Sequence, residues 1–332
     1  MGPGDRVFTK SVLDMDWEAE AARIEERIRD VVGRDLRRKG VVVGLSGGID
    51  SSLVAALATR ALGPERVFGL FMPETDSADE SLSLGKALTA KFGIPSRTVP
   101  IAPALEALGC YRERDAAIRS VFPDYGAGWR SKIVLPEIGD RARLNVFSLV
   151  VEAPDGTQKR ARLPLADYLT IVAATNMKQR TRKLTEYFWA EKKNFAVAGT
   201  PNRLEYDQGF FVKGGDGAAD FKPIAHLYKT QVYAMARALG VPESICGRRP
   251  TTDTYSLPQG QDEFYFALPY EQMDLCLWAH NHGVPAAEVA PVTGLTPAAI
   301  ENAFRDIEAK RRATLILHLA PILVEPVPEI RH

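Results

Sequence analysis

The chain has 332 residues, of which 45% are hydrophobic and 25% are charged, and lysine plus arginine equal aspartate plus glutamate at 42 each. This length and composition predict one large α/β domain with additions, and the balanced charge favours small-molecule chemistry over binding to nucleic acid or an anionic membrane. No apolar run approaches the ~20 residues of a membrane helix and the N-terminus lacks a signal-peptide core, so we expect a cytoplasmic protein.

Apolar runs alternate with helical patterns through the first two hundred residues. After an amphipathic helix near 16–37, strands are predicted at 40–45, 66–72, 96–101 and 194–199, and helices at 51–62, 78–92 and 164–190. This alternation predicts a doubly wound α/β fold, in which a parallel sheet carries helices on both faces. The C-terminal third predicts helices at about 226–240, 270–283 and 296–314, followed by a proline-rich tail.

The α/β alternation is interrupted between roughly 111 and 163. Residues 141–163 predict a β-hairpin, because an apolar arm from Leu144 to Val151 and a basic arm from Lys159 to Arg162 flank the turn Pro154-Asp155-Gly156. We interpret this insertion as a flap without a catalytic role, whose basic arm either covers an anionic ligand or lies on an exposed sheet edge. The predicted division is an N-terminal helical segment (1–38) that packs on the main domain or on a dimer partner, a main domain (39–110 and 164–315), the insertion (111–163) and a tail (316–332).

The cysteines and histidines do not predict a metal or disulfide site. Cys110, Cys246 and Cys276 are far apart and form no C-x-x-C pair, so we expect them to pack as small apolar groups. The five histidines have no metal-ligand spacing, and we interpret them as surface or structural residues.

The strand predicted at 40–45 runs directly into the turn Ser46-Gly47-Gly48-Ile49-Asp50-Ser51-Ser52, which a helix follows. The glycines allow backbone N–H groups to converge on phosphate oxygens at a positive helix N-terminus, and Ser46, Ser51 and Ser52 add hydroxyl donors. Asp50 would repel those phosphates unless a divalent cation lies between them, so it predicts magnesium. Neither a Walker loop nor a dinucleotide fingerprint is present here, and simple helix capping needs only one such residue.

A second glycine turn follows the strand predicted at 194–199. It carries Thr200 and Glu205, and Glu205 could join Asp50 on one cation because both motifs follow strand ends of one parallel sheet. The next segment, 210–220, surrounds one lysine and two carboxylates with glycines, which is typical of a flexible binding loop. Lys229 lies in the first turns of the following helix, where a lone lysine is usually solvated.

Together these segments resemble the NAD+ synthetase family of the N-type ATP pyrophosphatases. The S-G-G-x-D-S phosphate loop (PP-loop) of that superfamily is matched in full by Ser46 to Ser51. The resemblance covers most of residues 15–315 and rests on six blocks in the family's order and approximate spacing: 46–51, 176–182, 199–205, 213–220, 227–231 and 249–253. It implies an adenine nucleotide alpha hydrolase-like fold, ATP as co-substrate, Mg2+ and a homodimer.

The resemblance also implies roles for individual residues. Asp50 and Glu205 would hold magnesium against ATP, while Lys213 and Lys229 would neutralise charge during catalysis. The implied ATP-binding residues are Ser46, Gly47, Gly48, Asp50, Ser51, Ser52, Thr200 beside the adenine, and Lys229 and Thr251 on the phosphates. The residues implied to face deamido-NAD+ are Asn176, Arg180, Lys213, Asp216 and Asp220.

Two segments depart from the family pattern. The family commonly has an arginine beside the proline after the second strand, whereas this chain has Pro73-Glu74 without one. Near the C-terminus, a His-Lys pair that often closes over substrate is replaced by His318-Leu319. We therefore expect the ATP site and the closure over substrate to differ at these points, and the insertion's arginines could supply replacement contacts.

The activity implied by the resemblance is the ATP-dependent amidation of deamido-NAD+ through an acyl-adenylate, with release of pyrophosphate and AMP. The sequence contexts of the three cysteines do not suggest a glutamine-hydrolysing nucleophile, so the expected nitrogen source is free ammonia or a separate glutaminase chain. Two alternatives stay open: an adenylating ligase for another carboxylate, and a catalytically silent nucleotide sensor. The presence of both Asp50 and Glu205 weighs against the sensor.

Overall fold

The computed structural model describes residues 8–134, 147–248, 255–257, 265–266 and 268–329. The described strands are β1 (Val41–Gly44), β2 (Val67–Phe71), β3 (Ser96–Thr98), β4 (Arg130–Val134), β5 (Ser148–Glu152), β6 (Gln158–Arg162) and β7 (Ala196–Val197). The described α-helices are α1 (Trp17–Asp30), α2 (Ile49–Leu62), α3 (Asp79–Phe92), α4 (Ala102–Ala107), α5 (Cys110–Val121), α6 (Leu165–Lys193), α7 (Arg203–Gln208), α8 (Lys229–Ala238), α9 (Glu243–Cys246), α10 (Tyr270–Asn281), α11 (Ala286–Thr293) and α12 (Pro297–His318).

A parallel sheet in the order β3-β2-β1-β7 forms the centre of the fold. β1 pairs with β2 on one side and β7 on the other, so that Val42 lies between Phe68 and Val197. The carboxyl ends of parallel strands share one edge of a sheet, and ligands in such folds bind beyond that edge. The turns after β1, β2 and β7 are therefore brought together there.

Helices cover both faces of this sheet, which confirms the predicted doubly wound α/β fold. Val41 and Val43 point toward one face and join a core that includes Leu53 and Leu57 of α2. Val42 points toward the other face and packs in a second core with residues of α4, α5 and α6. An uninterrupted apolar run such as 41–43 can form a strand because both sides of a covered parallel sheet are dry.

The insertion contains a three-stranded antiparallel sheet in the order β4-β5-β6. β5 and β6 form the predicted hairpin, whereas β4 was not anticipated, and Leu144 and Val146 of the predicted apolar arm lie outside the described residues. β6 is an edge strand with Lys159 and Arg160 exposed, which favours the edge-strand interpretation of the basic arm. The proposed domain boundaries stay a prediction.

The C-terminal helices α10, α11 and α12 build a separate apolar core, and α12 also contacts α7 beside the sheet edge. All three cysteines are free and buried, as expected. Among the described residues, no helix is both long enough and apolar enough to cross a membrane.

Candidate active site

The Ser46 turn joins β1 to α2 at the sheet's carboxyl edge. Gly47 has φ +75°, and a Cβ placed there would lie 2.3 Å from the Ser81 carbonyl oxygen, so only glycine fits the turn. The hydroxyls of Ser51 and Ser52 donate to the Gly48 carbonyl at 3.1 and 2.8 Å. Ser46 is exposed, whereas Ser52 is fully buried and braces the turn from behind. Of the three predicted hydroxyl donors, Ser46 is therefore the most accessible to a ligand.

Asp50 lies in the first turn of α2 and binds two side chains from other segments. The Lys229 ammonium donates to Asp50 Oδ2 at 2.5 Å, and the Asn202 amide donates to Asp50 Oδ1 at 2.9 Å. Lys229 is fully buried, so the expectation that a lone lysine is solvated is wrong at this position. Burial alone would lower the pKa of Lys229, but the charges of Asp50 and Glu205 raise it, so the ammonium stays charged.

Glu205 is placed by a capping box at the start of α7. The Asn202 side chain accepts from the Glu205 N–H at 3.2 Å, and Glu205 Oε2 accepts from the Asn202 N–H at 3.2 Å. Burial, followed by the charge of Asp50, raises the pKa of Glu205 to about 8. Sequence reasoning did not single out Asn202, although its N-x-x-E spacing is the signature of this cap.

The Asp50 and Glu205 carboxylates are suited to a shared divalent cation, since the charge of Asp50 disfavours the ionisation of Glu205 and raises its pKa. Among the described residues, no group of three or more His, Cys, Asp or Glu could hold a metal by itself. Magnesium commonly binds one or two carboxylates and takes its remaining oxygens from water and substrate phosphates. The pair fits that kind of site beside the Ser46 turn.

The loop after α7, residues 210–220 and called here the Lys213 loop, carries the carboxylates predicted to face the dinucleotide. Asp216 Oδ1 accepts from the Val212 N–H at 2.8 Å, and burial raises the pKa of this carboxyl. Asp220 Oδ2 accepts from the Val197 N–H of β7 at 2.7 Å, so this carboxylate holds the loop against the sheet. The loop therefore ends at the same strand edge as the Ser46 turn.

Helix α6, which packs against the sheet face that carries Val42, also contacts this loop. Arg180 is exposed and donates from Nε to the Lys213 carbonyl at 3.2 Å, while Asn176 lies half-buried about one turn earlier. Thr200 is half-buried directly after β7, and Thr251 lies outside the described residues. The structure thus brings the predicted residues of α6, β7 and the Lys213 loop to one side of the molecule.

Comparison with known proteins identifies the family. The model of the family described as NAD synthase matches residues 20–121 and 150–313. This chain belongs to the NAD synthase family. An NH3-dependent NAD+ synthetase of Rhizobium meliloti (strain 1021) is 57% identical over 324 residues, covering 98% of this chain and 97% of that protein. An NH3-dependent NAD+ synthetase of Thermotoga maritima is 38% identical and covers 72% of this chain and 79% of its own length.

Solved structures share the fold of the family at lower sequence identity. An NH3-dependent NAD synthetase from Campylobacter jejuni has a TM-score of 0.61 and 23% identity, covering 94% of this chain and all of its own. An NMN synthetase from Francisella tularensis has a TM-score of 0.63 and 20% identity, covering 93% of this chain and 99% of its own. At these identities the likeness establishes the fold alone.

The first departure from the family pattern has a structural explanation. Glu74, which follows Pro73 after β2, is buried and accepts from the Lys178 ammonium at 3.1 Å and from the Tyr111 hydroxyl at 2.9 Å. Lys178 also donates to Asp76 at 2.5 Å. These contacts tie the β2 turn to α6, two residues before Arg180. Glu74 is therefore used in packing the turn, and neither Lys178 nor Asp76 was singled out by the sequence.

The second departure, at the C-terminal end of α12, is also ordered against the loop. The His318 ring packs edge-on against Tyr206 and Phe211, with centroid distances of 4.9 and 5.2 Å. The Lys213 ammonium donates to the carbonyls of Ile316 and Leu319 at 2.9 and 3.2 Å. The end of α12 thus closes on the Lys213 loop through an aromatic ring and backbone carbonyls.

Proposed function

We propose that this chain is an ATP-dependent ligase that converts deamido-NAD+ and ammonia into NAD+, AMP and pyrophosphate. The observation that carries the proposal is the position of the Asp50, Glu205 and Lys229 cluster beside the Ser46 phosphate turn, in a chain of the NAD synthase family. The cluster lies at the carboxyl edge of the sheet, where nucleotides bind in such folds.

In this proposal the Ser46 turn holds the outer two phosphates of ATP. Ser46 and the turn's N–H groups donate to their oxygens, and the positive N-terminus of α2 favours their charge. Lys229, which already lies against Asp50, neutralises charge that develops between the α-phosphate and the leaving pyrophosphate. Thr200 borders the adenine, and Thr251 is assigned to the phosphates from the family motif alone.

A magnesium ion would be held by Asp50 and Glu205 and would screen them from the phosphates. When bound, it supplies Lewis-acid stabilisation of phosphoryl oxygens. Glu205 must lose its proton to act as a ligand, because its pKa of about 8 keeps it protonated at neutral pH. Asn202 positions both carboxylates, since it donates to Asp50 and caps the turn that carries Glu205.

The reaction then needs little proton chemistry from the protein. A carboxylate oxygen of the nicotinate group forms a bond to the α-phosphorus while the bond between that phosphorus and the bridging oxygen breaks, releasing pyrophosphate. Ammonia next attacks the acyl carbon, AMP leaves with the bonding electrons, and the excess proton passes to solvent. Positioning and electrostatic stabilisation supply the rate, which suits a site without a nucleophilic triad.

The dinucleotide would bind along the Lys213 loop. Arg180 and Lys213 offer cations for its pyrophosphate, and Asn176, Asp216 and Asp220 offer polar groups for its ribose hydroxyls. The contact of Arg180 with the Lys213 carbonyl supports this arrangement, because it holds the two cationic residues together. The contact of His318 with Phe211 keeps the end of α12 over the same loop.

We also propose a homodimer formed through α6. This 29-residue helix exposes Leu165 and Leu169 near its start and Leu184 and Phe188 near its end, each more than half exposed. Large exposed apolar side chains grouped on one helix favour burial against another protein surface. Light scattering should detect a dimer, and Leu184→Glu should shift it toward monomer, while the control Leu108→Glu, at an exposed leucine outside α6, should not.

The proposed nitrogen source is ammonia, delivered free or by a separate glutaminase. The proposed location is the cytoplasm, as for other consumers of ATP in biosynthesis.

The test of the proposed activity is pyrophosphate release from ATP with deamido-NAD+ and ammonium, with glutamine as a parallel nitrogen donor. Turnover should require deamido-NAD+ and ammonium, and glutamine alone should fail. Turnover with another carboxylic acid would support a different adenylating ligase, and ATP binding without turnover with any acid would support a sensor.

A further inference from the structure

Helix α8 begins at Lys229, and a carboxylate from another helix caps it. Asp274 of α10 is fully buried. Its Oδ1 accepts from the Lys229 N–H at 3.2 Å, and its Oδ2 accepts from the Thr230 N–H and the Thr230 hydroxyl, each at 2.7 Å. The first N–H groups of a helix have no partners within the helix, so this carboxylate supplies acceptors that α8 lacks.

Helix α10 contacts Lys229 at both ends of the residue. Asp274 holds its backbone N–H, and the Tyr270 ring, one turn earlier on α10, lies 5.5 Å from its ammonium. The ammonium then donates to Asp50 at 2.5 Å. A lysine stem is flexible, and here its origin and its charged end are both fixed by contacts outside α8.

The carboxylate of Asp274 also occupies the N-terminus of α8. Such a terminus attracts anions because its N–H groups and dipole are positive. With two of those N–H groups donating to Asp274, this terminus is already neutralised by the protein. The positive charge that α8 presents to the Asp50 side is therefore the Lys229 ammonium.

We propose that Asp274 is a positioning residue for Lys229, and that it reserves the start of α8 so that the ammonium alone delivers this helix's charge to the nucleotide phosphates. The inference rests on the proposed role of Lys229. Asp274 itself contacts neither substrate in this arrangement. It acts by fixing the backbone from which the Lys229 side chain extends.

The chosen perturbation is Asp274→Asn, which keeps the shape of the side chain. Both carboxylate oxygens accept hydrogen bonds, so an amide in either orientation turns its NH2 group toward a donor and leaves that donor unmatched. Displacement of a catalytic group by about 1 Å costs on the order of 100-fold in rate. We expect kcat to fall by roughly 10- to 100-fold, with KM for deamido-NAD+ little changed.

The test is a kinetic double-mutant cycle of wild type, Asp274→Asn, Lys229→Met and the double variant. If Asp274 acts through Lys229, the double variant should be no slower than Lys229→Met, because the group to be positioned is already gone. The matched control is Asp16→Asn, which changes a carboxylate cap of α1 that accepts from the Ala19 N–H at 3.0 Å. It should leave kcat unchanged.

Two results would overturn the proposal in different ways. If Lys229→Met turns over at the wild-type rate, the proposed role of Lys229 fails, and with it the purpose of its positioning. If Lys229→Met is slow but the losses multiply in the double variant, or if Asp274→Asn lowers only the melting temperature, Asp274 is a structural cap alone. Should Asp274→Asn not fold, Thr230→Val removes one of the three bonds, and its kcat should fall by a few-fold and be non-additive with Lys229→Met.

Discussion

Replacing Gly47 with alanine tests whether the Ser46 turn depends on close backbone approach. Gly47 has φ +75°, and a Cβ there would lie 2.3 Å from the Ser81 carbonyl oxygen. Gly156 is a matched control, because it has φ +85° in the turn between β5 and β6 and no atom within 4 Å of an added Cβ. Both substitutions incur left-handed backbone strain, and only Gly47→Ala also forces a backbone atom to move.

The free energies by which Gly47→Ala and Gly156→Ala destabilise the fold should differ by the cost of the steric contact at Gly47. Left-handed strain costs about 1–2 kcal/mol for a residue with a Cβ, and forcing extra volume into a packed site adds about 1–3 kcal/mol. An unfolding entropy of ~2.1 cal/mol/K per residue gives ~0.7 kcal/mol per kelvin for a chain of 332 residues. Gly156→Ala should therefore lower the melting temperature by about 2 °C and Gly47→Ala by about 3–7 °C.

Activity should separate the variants more clearly than stability. Gly47→Ala displaces the N–H groups that are proposed to hold the outer phosphates, so KM for ATP in the pyrophosphate-release assay should rise by roughly tenfold or more. Gly156→Ala should keep the wild-type KM. Equal melting temperatures and equal KM values for the two variants would refute the argument that Ser81 leaves no room at Gly47.

Three further predictions concern the charged groups of the site. Because burial and Asp50 raise the pKa of Glu205 from 4.5 to about 8, its contribution to stability is complete below about pH 4.5 and is lost as pH rises through 8. Without metal, thermal unfolding should show this loss, and Mg2+ affinity measured by calorimetry should rise with pH up to about 8. Glu205→Gln should flatten both pH dependences, whereas a wild-type Mg2+ affinity independent of pH would contradict the assignment. Lys178→Met leaves the buried Glu74 carboxylate without a cation, while Asp76 keeps its ion pair with Arg114, and the variant should cost about 3–5 kcal/mol in urea unfolding. The control Lys86→Met, at an exposed lysine of α3, should change the free energy of unfolding by no more than ~0.5 kcal/mol. Lys213→Met removes the contacts with the end of α12 and should raise KM for deamido-NAD+ by roughly tenfold; an unchanged KM would rule out a role for Lys213 in closure.

The local patterns of the sequence were sufficient to predict the main sheet and the position of the Ser46 turn between β1 and α2. An apolar run that enters a glycine pair and then a helix is a local signal, because strand, turn and helix preferences depend on neighbouring residues. The bounds of β1, β2, α2 and α3 consequently lie within about two residues of the predicted ones. The antiparallel pairing of β5 with β6 follows from the turn signal between them, whereas β4 is separated from β5 by residues 135–147 and carried no comparable signal.

The electrostatic arrangement of the site was decided by tertiary structure. Lys229 looks solvated in sequence and is buried in the fold, because α8 is packed so that its first residue meets Asp50, 179 positions earlier in the chain. Asp274 and Glu74 read as ordinary charged residues, and their roles depend on partners 45 and 104 positions away. The sequence pattern predicted where the strands end and therefore which residues lie at the carboxyl edge of the sheet. Which of their charges are desolvated and paired depends on packing between segments that are remote along the chain.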